Sequence, residues 1–471
     1  MDFPVAGAQS SSPPMPSETR KLIAVVSKVF NRNLGRLLVL VYTLDFLNES
    51  ADTARLYAAV NLLQTLLSTL NRGIINIGVS NNQKSENKLS PEELMECCVA
   101  IGLVNGAALS ILGMSCSEGI IPYIIPQAGE SPARLSMRLY SLVMPFWITL
   151  MNVPSALLGC STDRSDLPIF LREITSGGLA NPIYFFVFKR FAPQSYIYTL
   201  ILHTIAGTIL GRLFLGQYGD MKLRQMTHLW KEKFNAALGI LGAGFVEGLL
   251  SGIDVFGWML ISWVVSQQED PRYLLNQLAQ IGFTSAMTDS LITIFRKNPP
   301  SLKLLLSANA TTLSIGIGVS SLLSLIKGAD PAPSLYTLTL FPIVGKRIIS
   351  QIAMDKALDP IITNKKMVNA HLVITLVAVG FIFAGYFSNM PAEHVFLIYP
   401  LISAGLGILS SLYYLRSSTH NVAIPAVARN DERVVTIHVN EARPSEIGIF
   451  ALPAQREEMK SHRHDGTLIM P

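Results

Sequence analysis

Residues 235–264 read NAALGILGAGFVEGLLSGIDVFGWMLISWV. As an α-helix this stretch is about 45 Å long, more than the roughly 30 Å of hydrocarbon in a bilayer. Its only ionisable side chains are Glu247 and Asp254. A soluble helix of that length needs a polar face, and none is present here. The stretch therefore reads as a transmembrane helix, since in lipid every backbone N–H and C=O must be satisfied internally.

The rest of the chain repeats the pattern. Half of the 471 residues are hydrophobic and 15% are charged, too little charge to cover a globular surface. The reading is an all-α membrane protein of twelve transmembrane helices. The spans of the first half are 34–50, 56–80, 96–121, 136–159, 168–188 and 195–217. Those of the second half are 235–264, 273–295, 303–326, 334–357, 367–388 and 393–415. Pro145, Pro154 and Pro342 fall inside spans, where membrane helices tolerate them.

Charge in the connections orients the chain, because cytoplasmic loops carry excess Lys and Arg. With the N-terminus inside, the inner loops hold Arg72, Lys84 and Lys88; Arg164 and Arg172; Lys222, Arg224, Lys231 and Lys233; Arg296, Lys297 and Lys303; and Lys346, Arg347, Lys356, Lys365 and Lys366. The outer connections hold Arg55, Arg134, Lys189, Arg190, Arg272 and Lys327. Both termini are expected to be cytoplasmic. The net charge of +5 is thus a topology signal and not a nucleic-acid surface.

Five segments follow. Residues 1–33 are a disordered, basic N-terminal segment, 34–218 the first six-helix bundle and 219–234 a cytoplasmic linker. Residues 235–415 are the second bundle and 416–471 a disordered cytoplasmic tail. A shift of 216 residues relates the bundles: Asn61, Gln64, Ser68 and Arg72 form one helical stripe, and Gln277, Gln280, Thr284 and Thr288 form another, with Tyr57 matching Tyr273. Such stripes either line a substrate cavity between repeated halves or join helices by hydrogen bonds. Asn61, Gln64, Ser68, Gln277, Gln280, Thr284 and Ser251 are the cavity candidates.

Ionisable residues inside spans carry a functional expectation. Asp45 lies in the first span, while Glu247, Ser251 and Asp254 share one face of the seventh. A carboxylate there can exchange a proton or ligate sodium, the chemistry of ion-coupled transport, with Asp45 as the candidate sodium site. The alternative for each acid is a structural pair with a basic group. Asp289, Asp355, His203, Arg212 and His371 rank lower. No phosphate loop, zinc motif or nucleophile motif is present, so neither an enzyme nor a cofactor beyond H⁺ or Na⁺ is expected. Gly239, Gly242, Gly244 and Gly248 read as helix packing, and Cys97, Cys98, Cys116 and Cys160 as small apolar side chains.

Several strings resemble the multidrug and toxic compound extrusion (MATE) transporters. They are Asp45 followed by Ala58-Ala59-Val60, Phe245-Val246-Glu247, and Gly159-Cys160-Ser161-Thr162-Asp163-Arg164 leading to Pro168. The chain departs from that pattern at Leu158 and at Gln267, Gln268, Glu269 and Asp270. The resemblance implies two pseudo-repeated six-helix bundles in a V. It implies export of organic cations or drugs against H⁺ or Na⁺, with Asp45 the coupling acid of the first bundle and Glu247 a cation-sensing acid of the second.

The expected partners are membrane lipids and small cationic or amphipathic substrates, and the expected state is a monomer in a bacterial inner membrane. Two alternatives remain open. One is a lipid-linked-sugar flippase of the same superfamily. The other is a non-transporting interaction protein, such as a secreted effector in a host membrane, for which Gln455-Arg456-Glu457-Glu458 is the weak signal.

Overall fold

A computed structural model of the chain describes residues 18–84, 89–160, 167–191, 194–214, 233–295, 300–328, 333–355 and 360–420. The described residues are helical apart from short connections. The N-terminal half comprises α1 (Glu18–Leu47), α2 (Ala51–Lys84), α3 (Pro91–Glu96), α4 (Cys98–Ser115), α5 (Ile121–Ile124), α6 (Ser131–Cys160), α7 (Leu167–Phe186) and α8 (Ser195–Phe214). The C-terminal half comprises α9 (Phe234–Ser266), α10 (Arg272–Phe295), α11 (Leu302–Ile326), α12 (Pro333–Asp355), α13 (Pro360–Phe387) and α14 (Ala392–His420). Among the described residues three stretches, Cys98–Ile124, Leu302–Ile326 and Ala392–Arg416, are long and apolar enough to cross a membrane by length and composition.

Two sequence expectations change. Helix α1 begins at Glu18, so much of the segment expected to precede the first span is helical. Arg20, Lys21, Lys28 and Arg32 lie on that helix, which favours basic side chains as much as a loop does. Arg172, Lys346 and Arg347, read as loop charges, lie inside α7 and α12. Their long stems let a charged head sit within a helix.

Local signals fix the helix ends. Ser50 and Thr53 cap each other at the start of α2, Thr53 N–H donating to Ser50 Oγ (3.1 Å) and Ser50 N–H to Thr53 Oγ1 (3.0 Å). Thr53 Oγ1 also donates to Phe46 O at 2.9 Å, which folds α2 back beside α1. Ser90 and Glu93 form the same device at α3, and the Ser90 N–H holds the Glu93 carboxyl below its usual range. Ser301 caps α11 at its start, and Gly328, at φ +69°, ends it, leaving Lys327 as the last residue before the turn.

The halves meet along α1, α2, α9 and α10. At the end where α1 turns into α2, here the Asp45 end, the connections of both halves interlock. At the opposite end α2 and α9 touch backbone to backbone. A Cβ on Gly78 would overlap the Ile240 carbonyl oxygen, and one on Gly244 would overlap the Ile74 carbonyl oxygen. Small residues permit such close approach in membranes, where dispersion replaces the hydrophobic drive. The apolar cluster of Ile74, Ile75, Val79, Ala237 and Ile240 surrounds this crossing. A second cluster joins Val29, Leu40 and Leu44 of α1 to Phe283, Met287 and Leu291 of α10. The described halves therefore touch at both ends, which closes the V that the resemblance implies.

Candidate coupling site at the junction of the two halves

Asp45 sits two residues from the end of α1, with its side chain 16% exposed. Lys189, in the short 3-10 turn after α7, donates to Asp45 Oδ2 at 2.8 Å, and the Tyr184 hydroxyl donates to the same oxygen at 3.1 Å. Lys327 reaches Oδ1 from the end of α11 at 3.4 Å, with its ammonium 4.2 Å from the centre of the Phe185 ring. Glu49 stands 3.7 Å from Lys189. Two acids thus face two lysines, one lysine from each half of the molecule. The paired arrangement of Asp45 is what the structure shows; a proton or sodium ion at this carboxylate has to compete with both ammonium groups.

Further hydrogen bonds surround this ion pair and also cross between halves. Asn48 donates to Lys327 O at 3.3 Å, and Asn276 donates to Asn48 Oδ1 at 2.8 Å. Arg55 donates to Gln268 O and Glu269 O at 2.8 and 2.9 Å, and Gln267 donates to Ile124 O at 2.7 Å. The connection with the departing residues Gln267 to Asp270 is therefore part of the junction. Within it the Arg272 guanidinium holds the Asp270 carboxyl below the usual carboxylate range.

Behind Asp45 the first half is lined by tyrosines. Tyr42 lies 5.6 Å from Tyr184 and 5.9 Å from Tyr196, ring centre to ring centre. Among the described residues the hydroxyls of Tyr42 and Tyr140 and Nδ1 of His203 have no hydrogen-bond partner, although all three are buried. A buried polar atom without a partner is costly, so this interior suits a proton, water or a polar ligand group.

The two polar stripes occupy different places. On α2, Asn61, Gln64 and Ser68 are half-buried along the junction, and Asn61 donates to Ser262 of α9 at 3.4 Å. On α10, Gln277, Gln280, Thr284 and Thr288 are sealed inside the C-terminal half. Gln280 donates to Ser324 of α11 at 2.7 Å, and Thr284 packs where Gly316 leaves no room for a Cβ. Gln277 is fully buried, and among the described residues neither its amide atoms nor the buried hydroxyl of Thr312 have a partner. Arg347 completes the stripe by donating to Ser285 O at 2.8 Å, to Ser285 Oγ at 2.7 Å and to Thr288 Oγ1. The α10 stripe thus joins helices within one half, and only the α2 stripe faces the junction.

Glu247, Ser251 and Asp254 fall on α9, and Asp289, Asp355, Arg212 and His371 also fall on helices; the side chains of all seven lie outside the described residues. So do residues 161–166, which take in the last four residues of the Gly159–Arg164 string, and residues 421–471. Cys97, Cys98 and Cys116 are buried. No group of three or more His, Cys, Asp or Glu side chains fit to hold a metal is present among the described residues. Sequence reasoning missed Lys189 and Lys327 as partners of Asp45, because each was visible only as a charge in a connection.

No family model and no curated protein matches the sequence. Solved structures do. The eukaryotic MATE transporter AtDTX14 is 12% identical, with a TM-score of 0.52 over 86% of this chain and 99% of that one. An inward-facing multidrug resistance MATE family transporter is 14% identical, with a TM-score of 0.52 over 86% of this chain and 100% of that one. Likeness at this level over nearly the whole helical body means that the chain has the fold of the MATE transporters.

Proposed function

We propose that this chain is a secondary antiporter that exports organic cations or drugs by alternating access, driven by H⁺ or Na⁺. All twelve long helices cross the membrane in this reading, with both termini in the cytoplasm, so that the Asp45 end faces outward. The observation that carries it is the position of Asp45, a carboxylate at the junction held by one lysine from its own half and one from the other.

A ligand moves a conformational equilibrium only through a difference in affinity between the states. Asp45 supplies that difference. With the Asp45 end closed, Lys327 neutralises the carboxylate across the junction. A proton or sodium ion on Asp45 removes the reason for Lys327 to stay, so the ion binds better when that end is open. Opening then trades a cross-half ion pair for a bound coupling ion, and release of the ion restores the pair. The half-buried stripe of Asn61, Gln64 and Ser68 runs along the junction and is the proposed wall of the substrate path. Glu247 and Asp254 of α9, whose side chains lie outside the described residues, are proposed as the acids that attract a cation. A lipid-linked-sugar flippase would need basic groups free to hold a pyrophosphate, whereas Lys189 and Lys327 are already paired with carboxylates.

The test is efflux from vesicles across a panel of cationic dyes, with proton and sodium gradients imposed in turn. Export driven by one gradient in the parent and abolished in Asp45→Asn supports the proposal. Export indifferent to both gradients, or unchanged in Asp45→Asn, overturns it.

A further inference from the structure

Glu118 stands in a five-residue π-helical turn, Cys116–Ile120, that follows α4 near the Asp45 end. Single π turns inside helices re-aim side chains and are frequent at functional sites. Two arginines of α6, one helical turn apart, converge on this carboxylate. Arg134 donates to Oε2 from Nε (2.8 Å) and Nη2 (2.5 Å). Arg138 donates to Oε2 from Nη2 at 2.9 Å and to Oε1 from Nε. Two guanidinium groups share one carboxylate, which leaves the cluster with one net positive charge.

Among the described residues no second carboxylate forms an ion pair with either arginine; Glu130, one turn before Arg134, does not. The Nη1 groups of both arginines donate to nothing described, and each arginine side chain is 45% exposed. The surface around them is apolar. Ile111 and Ile120 on one side and Leu135, Leu139 and Leu142 on the other are exposed, and Tyr123 is 88% exposed. Exposed aliphatic side chains next to a tyrosine make the face a helix pair presents to lipid near the membrane boundary. Arg138 lies seven residues into α6, about 10 Å along the helix, with Leu139 and Leu142 beside and beyond it. A net charge at that level of a lipid-facing surface is costly unless neutralised.

We propose that Arg134 and Arg138, aligned by Glu118, bind the phosphate of a membrane phospholipid at the lipid-facing seam between α4 and α6. A phosphodiester brings one negative charge and oxygens that accept from parallel arginine forks, and its acyl chains cover Leu139, Leu142 and Ile111. Glu118 keeps the two guanidinium groups side by side and limits the affinity, since it competes for the same donors. This inference does not depend on the transport reading.

Native mass spectrometry of the full chain in detergent, titrated with phosphatidylglycerol, tests it. The parent should retain one phosphatidylglycerol that the double variant Arg134→Gln, Arg138→Gln binds at least about tenfold more weakly. Glu118→Gln frees donors and should tighten retention by roughly threefold, which gives a readout even where the double variant fails to fold. Inorganic phosphate at equal concentration should fail to displace the lipid. Equal retention by parent and double variant, weaker retention in Glu118→Gln, or displacement by inorganic phosphate would overturn the proposal.

Discussion

The two ends of the junction are closed by different physics. At the Asp45 end the halves are joined by a shared carboxylate and by side chains that donate to backbone carbonyls: Lys327 on Asp45, Asn48 on Lys327 O, and Arg55 on Gln268 O and Glu269 O. At the other end α2 and α9 are in backbone contact at Gly78 and Gly244, within apolar clusters, with Asn33 bonded to Ser290 at 2.7 Å and Asn81 to Ala243 O at 3.0 Å. Polar contacts of the first kind respond to a single proton or ion. Contacts of the second kind respond to shape. The proposed ion-driven opening would use that asymmetry, with the charge on the end that senses and the tight packing on the end that resists.

Substitutions act on the two ends separately. The largest effect is expected from Gly244→Leu, whose side chain has no space between α2 and α9. It should destabilise the protein by about 3 kcal/mol in thermal unfolding in detergent, while a label pair across the Asp45 end reports little change. Next is Lys327→Met, which leaves Asp45 with Lys189 alone. It should loosen the Asp45 end by about 2 kcal/mol, discounted from a fully buried pair because both side chains keep some exposure. Arg55→Gln removes two charge-assisted bonds to carbonyls and should cost about 1.5 kcal/mol, read as faster proteolysis at the α9–α10 connection. The smallest effect belongs to Asn276→Ala, about 1 kcal/mol, and a double-mutant cycle with Asn48→Ala should show that the two act as one unit. A cycle in which Asn276→Ala and Gly244→Leu couple strongly would contradict the independence of the two ends.

What the sequence made legible follows from the range of each interaction. Apolar length and the scarcity of charge act locally, so the helical membrane body and the approximate positions of the long helices among the described residues could be read from stretches such as 235–264. Asp45 stood out for the same reason, as an acid in an apolar run. Its partners did not, because Lys189 and Lys327 lie far away in the chain and only folding brings them to one carboxylate. The α10 stripe illustrates the limit of periodicity. Gln277, Gln280 and Thr284 share a helical face as expected, yet the neighbour across that face is α11 and not a cavity between halves. Arg347 reads as a loop charge in the sequence because a basic residue near a span end looks the same whether it snorkels or bonds inward. Glu118 with Arg134 and Arg138 carried a signal that could have been used, since an acid inside a span and two arginines one turn apart in the next helix leave few ways to satisfy all three.

The Asp45–Lys327 pair is expected to hold its end of the junction closed. Spin labels at Asp52 of α2 and Asp270 of the α9–α10 connection span that end, and pulsed dipolar spectroscopy in lipid nanodiscs measures the distance between them. The expected result is a short distance in the parent and a population at longer distance in Asp45→Asn, with the same shift in Lys327→Met. A single short distance in all three proteins would contradict the account.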